Sequence, residues 1–224
     1  ASLEENIEIC VCIGTDKAVA PLNTYGATKL LMEKLFVTSG NYLNPIRHKT
    51  KFIAVRYGNV LGSNGSIVPK IIEQIKGGEK ITITDPNMTR FNITMNQALD
   101  LIERAAITGK GGEVFIPKLF AYRVGDLKDV LLDLFKNKNP TEIISVRPGE
   151  KVHESLLTID ELRNTYESKH DYILIEKSDF HTTPTHNYKK TSLNEQYSSN
   201  NVKLLTKDEL KEILRDLITN QLKN

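Results

Sequence analysis

Tyr25 and Lys29 are four residues apart in a segment whose apolar residues recur at helical spacing. Residues four apart on a helix project from one face, so the phenol and the ammonium are neighbours. A nearby cation favours the phenolate, which is what a general base for an alcohol requires. The same spacing also occurs on ordinary surface helices, so its interpretation depends on what surrounds it.

A second polar group, Thr15-Asp16-Lys17, follows an apolar, β-rich run at residues 7–13 and precedes Tyr25 in the chain. Open α/β sheets bind their ligands at the carboxyl ends of parallel strands. We therefore expect this group and the Tyr25-Lys29 pair to meet at one crevice. The alternative is a solvated turn in which Asp16 caps the next helix.

The elements that must position these residues alternate between strand and helix. Predicted strands at 7–13 and 51–60 flank a predicted helix at 23–36, an order that indicates a parallel βαβ crossover. Further helices are predicted at 67–75, 96–107, 124–135 and 206–222, further strands at 80–84, 113–116, 142–146 and 171–175, and a long loop at 181–201.

The composition is that of a globular, water-soluble chain. Lys plus Arg (30) nearly balances Asp plus Glu (28) in 224 residues, which gives no electrostatic argument for a nucleic acid or an anionic membrane. No apolar run approaches the roughly 18 residues of a membrane span. Cys10 and Cys12 lie in one predicted strand, where we expect them on opposite faces and unpaired. Cysteines of this kind favour a cytoplasmic location.

The first six residues, 1–6, have the composition of a helix's last turns, so we expect a truncated start. No glycine-rich G-x-G-x-x-G or G-x-x-G-x-x-G turn, the usual cradle of a dinucleotide's pyrophosphate, is present among the thirteen glycines. The run Gly109-Lys110-Gly111-Gly112 is interpreted as a plain turn. We expect the chain by itself to bind a dinucleotide poorly.

Several blocks resemble one family in order along the chain. Residues 14–18 and 25–29 resemble the active-site stretch of the extended short-chain dehydrogenase/reductase superfamily, and more narrowly that of inverting UDP-N-acetylglucosamine 4,6-dehydratases. Gly14 stands where that family usually has serine, a change expected to be mild. The other matching blocks are 56–63, 65–69, 83–85, 88–91, 147–154 and 197–199.

The resemblance implies an α/β fold: the C-terminal part of a Rossmann-like doubly wound parallel sheet plus a smaller α/β substrate-binding lobe. Residues 1–80 would belong to the dinucleotide-binding domain, and residues 81–224 mainly to the UDP-sugar lobe with its C-terminal helix. It also implies NADP or NAD as cofactor and a homo-oligomer for the full-length form. The cofactor contacts would come from Thr15, Tyr25, Lys29 and Tyr57.

The implied reaction has no net redox change. Tyr25, supported by Lys29 and Thr15, would remove the sugar's O4 proton while hydride leaves C4. Lys17 would then remove the C5 proton and Asp16 would help the C6 hydroxyl leave as water. Lys17 can accept a proton only if its ammonium is partly desolvated.

The resemblance assigns the UDP part of the substrate to a second set of residues. Arg90 and Arg147 suit a diphosphate, because a guanidinium offers phosphate oxygens a bidentate fork. Asn59 and Glu150 complete the predicted contacts. Surface ion pairs and turn or helix-start roles are the alternatives for these four, and His153 stays equally open between a nucleotide contact and a helix-start role.

No metal is predicted, because His48, His170, His181 and His186 show no ligand spacing with one another or with the cysteines. Two other functions stay open. One is a UDP-sugar C4-epimerase or a sibling dehydratase with another C5 outcome, although an epimerase needs no C5 base. The other is a non-catalytic fragment that binds UDP-sugar only.

Overall fold

A computed structural model describes residues 1–43, 47–175 and 188–221. Its α-helices are α1 (Thr24–Thr38), α2 (Ile67–Lys76), α3 (Met95–Thr108), α4 (Val124–Leu134) and α5 (Lys207–Gln221). Its strands are β1 (Ile9–Ile13), β2 (Lys51–Val55), β3 (Ile81–Ile83), β4 (Thr89–Phe91), β5 (Glu113–Pro117), β6 (Ala121–Arg123), β7 (Thr141–Ile143), β8 (Ser155–Leu157), β9 (Thr165–Glu167), β10 (Asp171–Ile175), β11 (Lys189–Lys190) and β12 (Tyr197–Ser198). Short 3-10 helices cover Asp16–Ala18, Ser39–Tyr42 and Glu161–Asn164.

The chain folds into two compact units and passes between them several times. The first comprises Ala1–Gly58, Met95–Lys118 and Ser155–Tyr197, and the second comprises Asn59–Thr94, Leu119–Glu154 and Ser198–Asn224. The sequence predicts a single boundary after residue 80, whereas these units alternate along the chain. The assignment of the cofactor and the UDP-sugar to separate parts of the chain stays a prediction.

The first unit is built on a six-stranded sheet of order β1-β2-β5-β10-β9-β11. Strands β1, β2 and β5 are parallel, and β10, β9 and β11 extend the sheet in antiparallel pairs. Phe52 of β2 packs edge-on against Phe36 of α1, with ring centroids 5.3 Å apart. Its neighbour Ile53 faces the other way, into a core with Leu101 of α3. Helices therefore cover both faces, and the prediction of a Rossmann-like doubly wound sheet is confirmed.

The second unit packs its helices α2, α4 and α5 around one apolar core. Ile71, Leu131 and Leu214 are each fully buried in it. Two three-residue pairings, β3 with β7 and β4 with β6, complete this unit. A further short pairing joins β8 to β12. The helix predicted at 206–222 is α5, whose described part ends at Gln221.

Two local predictions need correction. Cys10 and Cys12 are two positions apart on β1 and so share one face, which makes the expectation of opposite faces wrong; both are free thiols. The loop predicted at 181–201 contains β11 and β12, while residues 181–187, with His181 and His186, lie outside the described residues. At the start, Glu5 N–H donates to the Ala1 carbonyl at 3.0 Å, as in a helical turn.

A buried ion cluster joins three segments of the first unit. Arg56, at the end of β2, is fully buried, and so is Glu33 of α1. The guanidinium donates from Nε to Glu33 Oε2 at 2.9 Å and from Nη2 to Glu33 Oε1 at 2.5 Å. It also donates to both oxygens of Glu161, at 2.9 and 3.1 Å, and to the Leu156 carbonyl at 2.9 Å.

The cluster shifts two pKa values. Burial lowers the pKa of Arg56, but the hydrogen bonds and charge of Glu33, followed by those of Glu161, outweigh burial and raise it. Burial raises the pKa of Glu161, but the charge and hydrogen bonds of Arg56 outweigh burial and hold that pKa below its ordinary value. Both groups are therefore charged in the folded protein at neutral pH.

The depressed pKa of Glu161 predicts a loss of stability in acid. Its contribution is complete above the unfolded-state pKa of about 4.3 and is lost as pH falls through the lower folded-state pKa. Urea unfolding between pH 6 and about 3 should therefore show a free energy of unfolding that falls with pH, and Glu161→Gln should flatten that slope. Glu103→Gln, an exposed residue of α3, is the matched control and should keep the wild-type slope. Equal slopes in wild type and Glu161→Gln would contradict the prediction.

Candidate functional site

A turn at the carboxyl end of β1 carries Thr15, Asp16 and Lys17. Gly14 N–H donates to the Val55 carbonyl at 2.7 Å and Asp16 N–H donates to the Tyr57 carbonyl at 3.1 Å. The Thr15 hydroxyl caps the 3-10 helix Asp16–Ala18 by accepting from the Lys17 N–H. The turn thus follows the end of β2 closely, at the edge of the parallel strands where such sheets bind ligands.

Asp16 is 2% exposed, and its charge is compensated locally. Its Oδ1 accepts from the Thr15 hydroxyl at 2.9 Å and from Lys17 Nζ at 3.1 Å. The Lys17 side chain is 38% exposed, and its ammonium is paired with the Asp16 carboxylate. Within the described residues Oδ2 of Asp16 makes no hydrogen bond. The pair therefore offers a carboxylate oxygen and an ammonium side by side.

The predicted Tyr25-Lys29 contact is seen at the start of α1. Lys29 Nζ lies 5.6 Å from the centroid of the Tyr25 ring, a cation–π distance. The Asn23 side chain caps the helix by accepting from Gly26 N–H at 2.9 Å. Tyr25 is 55% exposed, so its ring is open to a ligand. Thr15 donates to Asp16, and no hydrogen bond joins it to Tyr25 in the described part of the chain.

Gly26 brings the two polar groups together. A Cβ at this position would lie 2.5 Å from the Lys17 carbonyl oxygen and 2.8 Å from Pro21 Cβ. Such distances are shorter than real contacts, so only glycine lets α1 approach the Asp16–Ala18 turn this closely. The Tyr25-Lys29 pair and the Asp16-Lys17 pair therefore occupy adjoining elements of one unit.

Gly14 also has no room for a side chain, so the change from the family's serine to glycine affects the turn more than expected. A Cβ there would lie 2.6 Å from the Val55 carbonyl oxygen and 3.3 Å from Glu33 Oε2. A serine would require the turn to shift. Tyr57, the other predicted cofactor contact, lies next to this turn, and burial raises the pKa of its phenol.

The second unit contains a cavity of about 240 Å³. All four residues predicted to bind the UDP part of the substrate line it: Asn59, Arg90, Arg147 and Glu150. Four residues separated by up to 91 positions thus share one concave surface of suitable size for part of a nucleotide. Their roles stay predictions, but the structure brings them together.

Arg90 is held on several sides. Its Nη1 donates to the carbonyls of Thr89 and Val152, at 2.8 and 3.0 Å. Glu150 lies 3.6 Å from Nη2 and Glu154 lies 3.7 Å from Nε. These contacts fix the plane of the guanidinium, which is 15% exposed. Glu150 thus orients Arg90, in addition to lining the cavity itself.

Arg147 is exposed on a turn in which its own N–H donates to Glu150 Oε2 at 3.2 Å. Its side chain can therefore reorient toward an anion without breaking a buried contact. His153 has a different environment. Its Nδ1 lies 2.8 Å from the Thr89 hydroxyl, which in turn lies 2.6 Å from the Ser199 hydroxyl, so the imidazole belongs to a polar chain beside Arg90.

Two hydroxyls of the cavity are not predicted from the sequence. Ser66 precedes α2 without capping it, and its buried Oγ has no hydrogen-bond partner within residues 1–43, 47–175 and 188–221. Tyr122 is 4% exposed, and no hydrogen bond of its hydroxyl is seen in the same ranges. Burial raises the pKa of Tyr122 to about 12, against the lowering effect of Arg90, so it stays a neutral donor. Ser66 lies in a block that matches the family, and no local signal marks Tyr122.

Two absences apply to the part of the chain that the structure describes. No group of three or more His, Cys, Asp and Glu side chains there could hold a metal ion. No helix in residues 1–43, 47–175 or 188–221 combines the length and the apolar character needed to cross a membrane.

Comparisons with known proteins agree on one family. A family model described as polysaccharide biosynthesis protein matches residues 1–176. A protein of Methanocaldococcus jannaschii named as an uncharacterized membrane protein is 38% identical over 223 residues, covering 96% of this chain and 64% of that protein. The UDP-glucose 4-epimerase of Rickettsia massiliae is 36% identical over 229 residues, covering 100% of this chain and 67% of that protein.

A solved structure is similar as well. The X-ray structure of Pen from Bacillus thuringiensis superposes with a TM-score of 0.82 at 35% identity, covering 96% of this chain and 64% of that chain. The present chain thus spans about two thirds of the length of the proteins that it matches.

The contact at Gly26 predicts that Gly26→Ala separates α1 from the Asp16–Ala18 turn. The added methyl group must displace the Lys17 carbonyl or the helix, which should lower the free energy of unfolding by about 1–3 kcal/mol and shift the amide resonances of Asp16 and Lys17. Gly40→Ala is the control, because a Cβ there meets nothing within 4 Å. Unchanged resonances and stability in Gly26→Ala would show that the close approach is not maintained in solution.

Proposed function

Since the chain belongs to the polysaccharide biosynthesis protein family, within the short-chain dehydrogenase/reductase superfamily, we propose that it carries the catalytic and sugar-binding residues of a nucleotide-sugar 4,6-dehydratase. The proposed substrate is UDP-N-acetylglucosamine and the product is a UDP-4-keto-6-deoxy sugar with inverted C5. The observation that carries the proposal is the buried Asp16 paired with Lys17 on the turn against which α1, with Tyr25, is packed.

The nicotinamide end of the cofactor suits the first unit. Tyr25 is exposed and Lys29 half-buried at the start of α1, where both can contact a ribose and a ring. Thr15 and Tyr57 lie on the neighbouring turn and strand end. Nicotinamide, as NADP or NAD, supplies reversible hydride acceptance, so that hydride lost from C4 is returned to C6.

Proton transfers are the work of the chain's own residues. Tyr25, with Lys29 beside it, takes the O4 proton as C4 becomes a ketone. The ketone acidifies the C5 hydrogen. With the proton of the ion pair moved from the Lys17 ammonium to Asp16, the Lys17 amine removes that hydrogen and the Asp16 carboxyl protonates the departing C6 hydroxyl, so that water is lost. Reprotonation of C5 from the opposite face, once hydride has reached C6, gives the inverted product. Oδ2 of Asp16, which has no hydrogen bond within the described ranges, is the oxygen proposed to meet that hydroxyl.

The diphosphate and the nucleoside are assigned to the cavity of the second unit. Arg147 and Arg90 supply positive charge, and Asn59 and Glu150 supply polar contacts at its wall. The hydroxyls of Ser66 and Tyr122 are further donors for ligand oxygens. A site built to donate hydrogen bonds rejects ligands that leave those donors unpaired, which favours a polar nucleotide over an apolar ligand.

A UDP-sugar C4-epimerase is the second candidate, because a Rickettsia relative bears that name. Epimerisation needs oxidation and reduction at C4 alone, for which Tyr25 and Lys29 suffice. It requires no acid or base at C5 and C6. The Asp16-Lys17 pair supplies the acid and the base that a dehydratase requires, whereas an epimerase requires neither. This difference favours the first proposal.

Variants of Lys17 and Tyr25 separate the two reactions. With a glycine-rich dinucleotide-binding segment supplied on the same polypeptide, Tyr25→Phe should lower turnover of UDP-N-acetylglucosamine by about 10²–10⁴-fold, and Lys17→Met should do the same for dehydration. Proton NMR of the products is the measurement. Lys49→Met, an exposed lysine, is the control and should keep full activity. A Lys17→Met variant that forms the C4 epimer at the wild-type rate would establish the epimerase instead.

The cavity predicts binding of UDP by this chain alone. Calorimetry with UDP should show a 1:1 complex, and Arg147→Ala should weaken it by about 10–100-fold through loss of charged hydrogen bonds to phosphate. Arg215→Ala, exposed on α5, is the control. If Arg147→Ala binds UDP as tightly as the control, the cavity is not the diphosphate site.

A further inference from the structure

Lys29 has two neighbours on its own helix face. Tyr25 lies one turn before it and Glu33 lies one turn after it, so each is four residues away. Residues at this spacing are within reach of each other on an α-helix, and a Lys–Glu pair of opposite charge attracts more strongly than a Lys–Tyr pair. From its own helix, therefore, Lys29 should turn toward Glu33 and away from the phenol.

The structure shows the other contact. Lys29 Nζ lies over the Tyr25 ring, and no ion pair joins Lys29 to Glu33 in the described part of the chain. Both carboxylate oxygens of Glu33 instead accept from the guanidinium of Arg56, at 2.9 and 2.5 Å. Glu161 binds the same guanidinium from the other side, with Nη2 2.9 Å from its Oε1.

We propose that Arg56 is a positioning residue that acts through Glu33: by holding that carboxylate it leaves the Lys29 ammonium to Tyr25. The inference rests on the proposed function for its catalytic consequence, although not for its structural one. Arg56 is fully buried and so is not available to contact substrate or cofactor. It determines whether the Lys29 ammonium contacts Tyr25 or Glu33.

The burial of the cluster makes this arrangement sensitive to one substitution. A carboxylate that is fully buried and loses its partner must find another cation or a proton, because an unpaired buried charge is strongly unfavourable. On α1 the cations beside Glu33 are Lys29, four residues before it on the same face, and Lys34, next in sequence. Burial lowers the pKa of Lys34, and among the acids that oppose this effect Glu161 acts more strongly than Glu33, so Lys34 is the cation nearer in effect to Glu161.

Other charged groups near Tyr25 do not determine the position of the Lys29 ammonium. The adjoining turn carries Asp16 and Lys17, which are paired with each other at 3.1 Å. Their pairing is unaffected by a change at Arg56, because Asp16 accepts from Thr15 and Lys17 and neither belongs to the cluster. A change in the Lys29–Tyr25 contact after mutation of Arg56 is therefore traced to Glu33.

Ring-current shifts in NMR test the proposal without any need for activity. With ¹³C-labelled lysine, the Lys29 side-chain methylene next to the ammonium should be shifted by the Tyr25 ring in the wild type, with Tyr25→Leu giving the unshifted reference. Arg56→Gln should lose this shift, and Arg56→Gln combined with Glu33→Gln should restore it. Glu161→Gln, which removes a carboxylate from the same cluster but leaves the Arg56–Glu33 contact, is the matched control and should keep the shift.

Two results would overturn the proposal. The first is a folded Arg56→Gln variant that keeps the shift, which would occur if Lys34 or a proton neutralised Glu33. The second is loss of the shift in both Arg56→Gln and the double variant. If Arg56→Gln does not fold, Arg56→Lys replaces it, since an ammonium cannot hold both Glu33 oxygens in a bidentate contact and a partial loss of the shift is expected.

Kinetics then tests the catalytic consequence, with a dinucleotide-binding segment supplied. Arg56→Gln should lower kcat by at least 10-fold with KM nearly unchanged, and the double variant should recover most of kcat. A purely structural role would lower thermal stability in both variants without restoring kcat in the double one. Loss of the NMR shift with no turnover even in the wild type would sustain the positioning role and refute the proposed function.

Discussion

The site of the first unit depends on one buried interaction, in which the guanidinium of Arg56 is hydrogen-bonded to the carboxylates of Glu33 and Glu161. Removing Arg56 and Glu33 from water is unfavourable unless every charge finds a partner in good geometry. The cluster satisfies this condition only when β2, α1 and the 3-10 helix at Glu161–Asn164 are in place together. It therefore specifies the arrangement of three segments more than it adds to stability.

The two candidate ligand sites are built on different principles. The turn at Asp16 pairs most of its polar atoms internally, through Thr15, Lys17 and the strand carbonyls, and leaves Oδ2 of Asp16 for a ligand. The cavity of the second unit does the reverse, since the hydroxyls of Ser66 and Tyr122 have no partners in the ranges described. Internal pairing suits groups that must be held in one geometry for proton transfer. Spare donors suit a site whose purpose is binding.

Local patterns were enough to predict most of the elements. The period of the apolar residues indicated α1 through α5 and strands such as β10, whose bounds at Asp171–Ile175 match the prediction. The Tyr25-Lys29 contact also followed from local spacing. Resemblance, rather than local spacing, gathered the four cavity residues into one set.

Features that depend on distant pairing could not be predicted in this way. Glu33 is a charged residue in a helix, and no neighbouring residue in the sequence indicates that it is buried in an ion pair with Arg56. The close approach at Gly26 requires knowledge of where the Lys17 carbonyl lies. The alternation of the two units along the chain is equally hidden from local patterns, because it depends on which distant segments pack together.

The interleaving of the two units has a consequence for how the protein acquires its structure during synthesis. Strand β2 lies beside β5 in the sheet, and β5 lies beside β10, yet whole stretches of the second unit separate these strands in the sequence. Contacts between strands that are far apart along the chain form slowly, because a large loop must close before the strands can pair. During synthesis β2 therefore keeps an unpaired edge until β5 (Glu113–Pro117) has emerged, and β5 keeps one until β10 (Asp171–Ile175) follows, so the growing chain exposes strand edges that can pair with other chains.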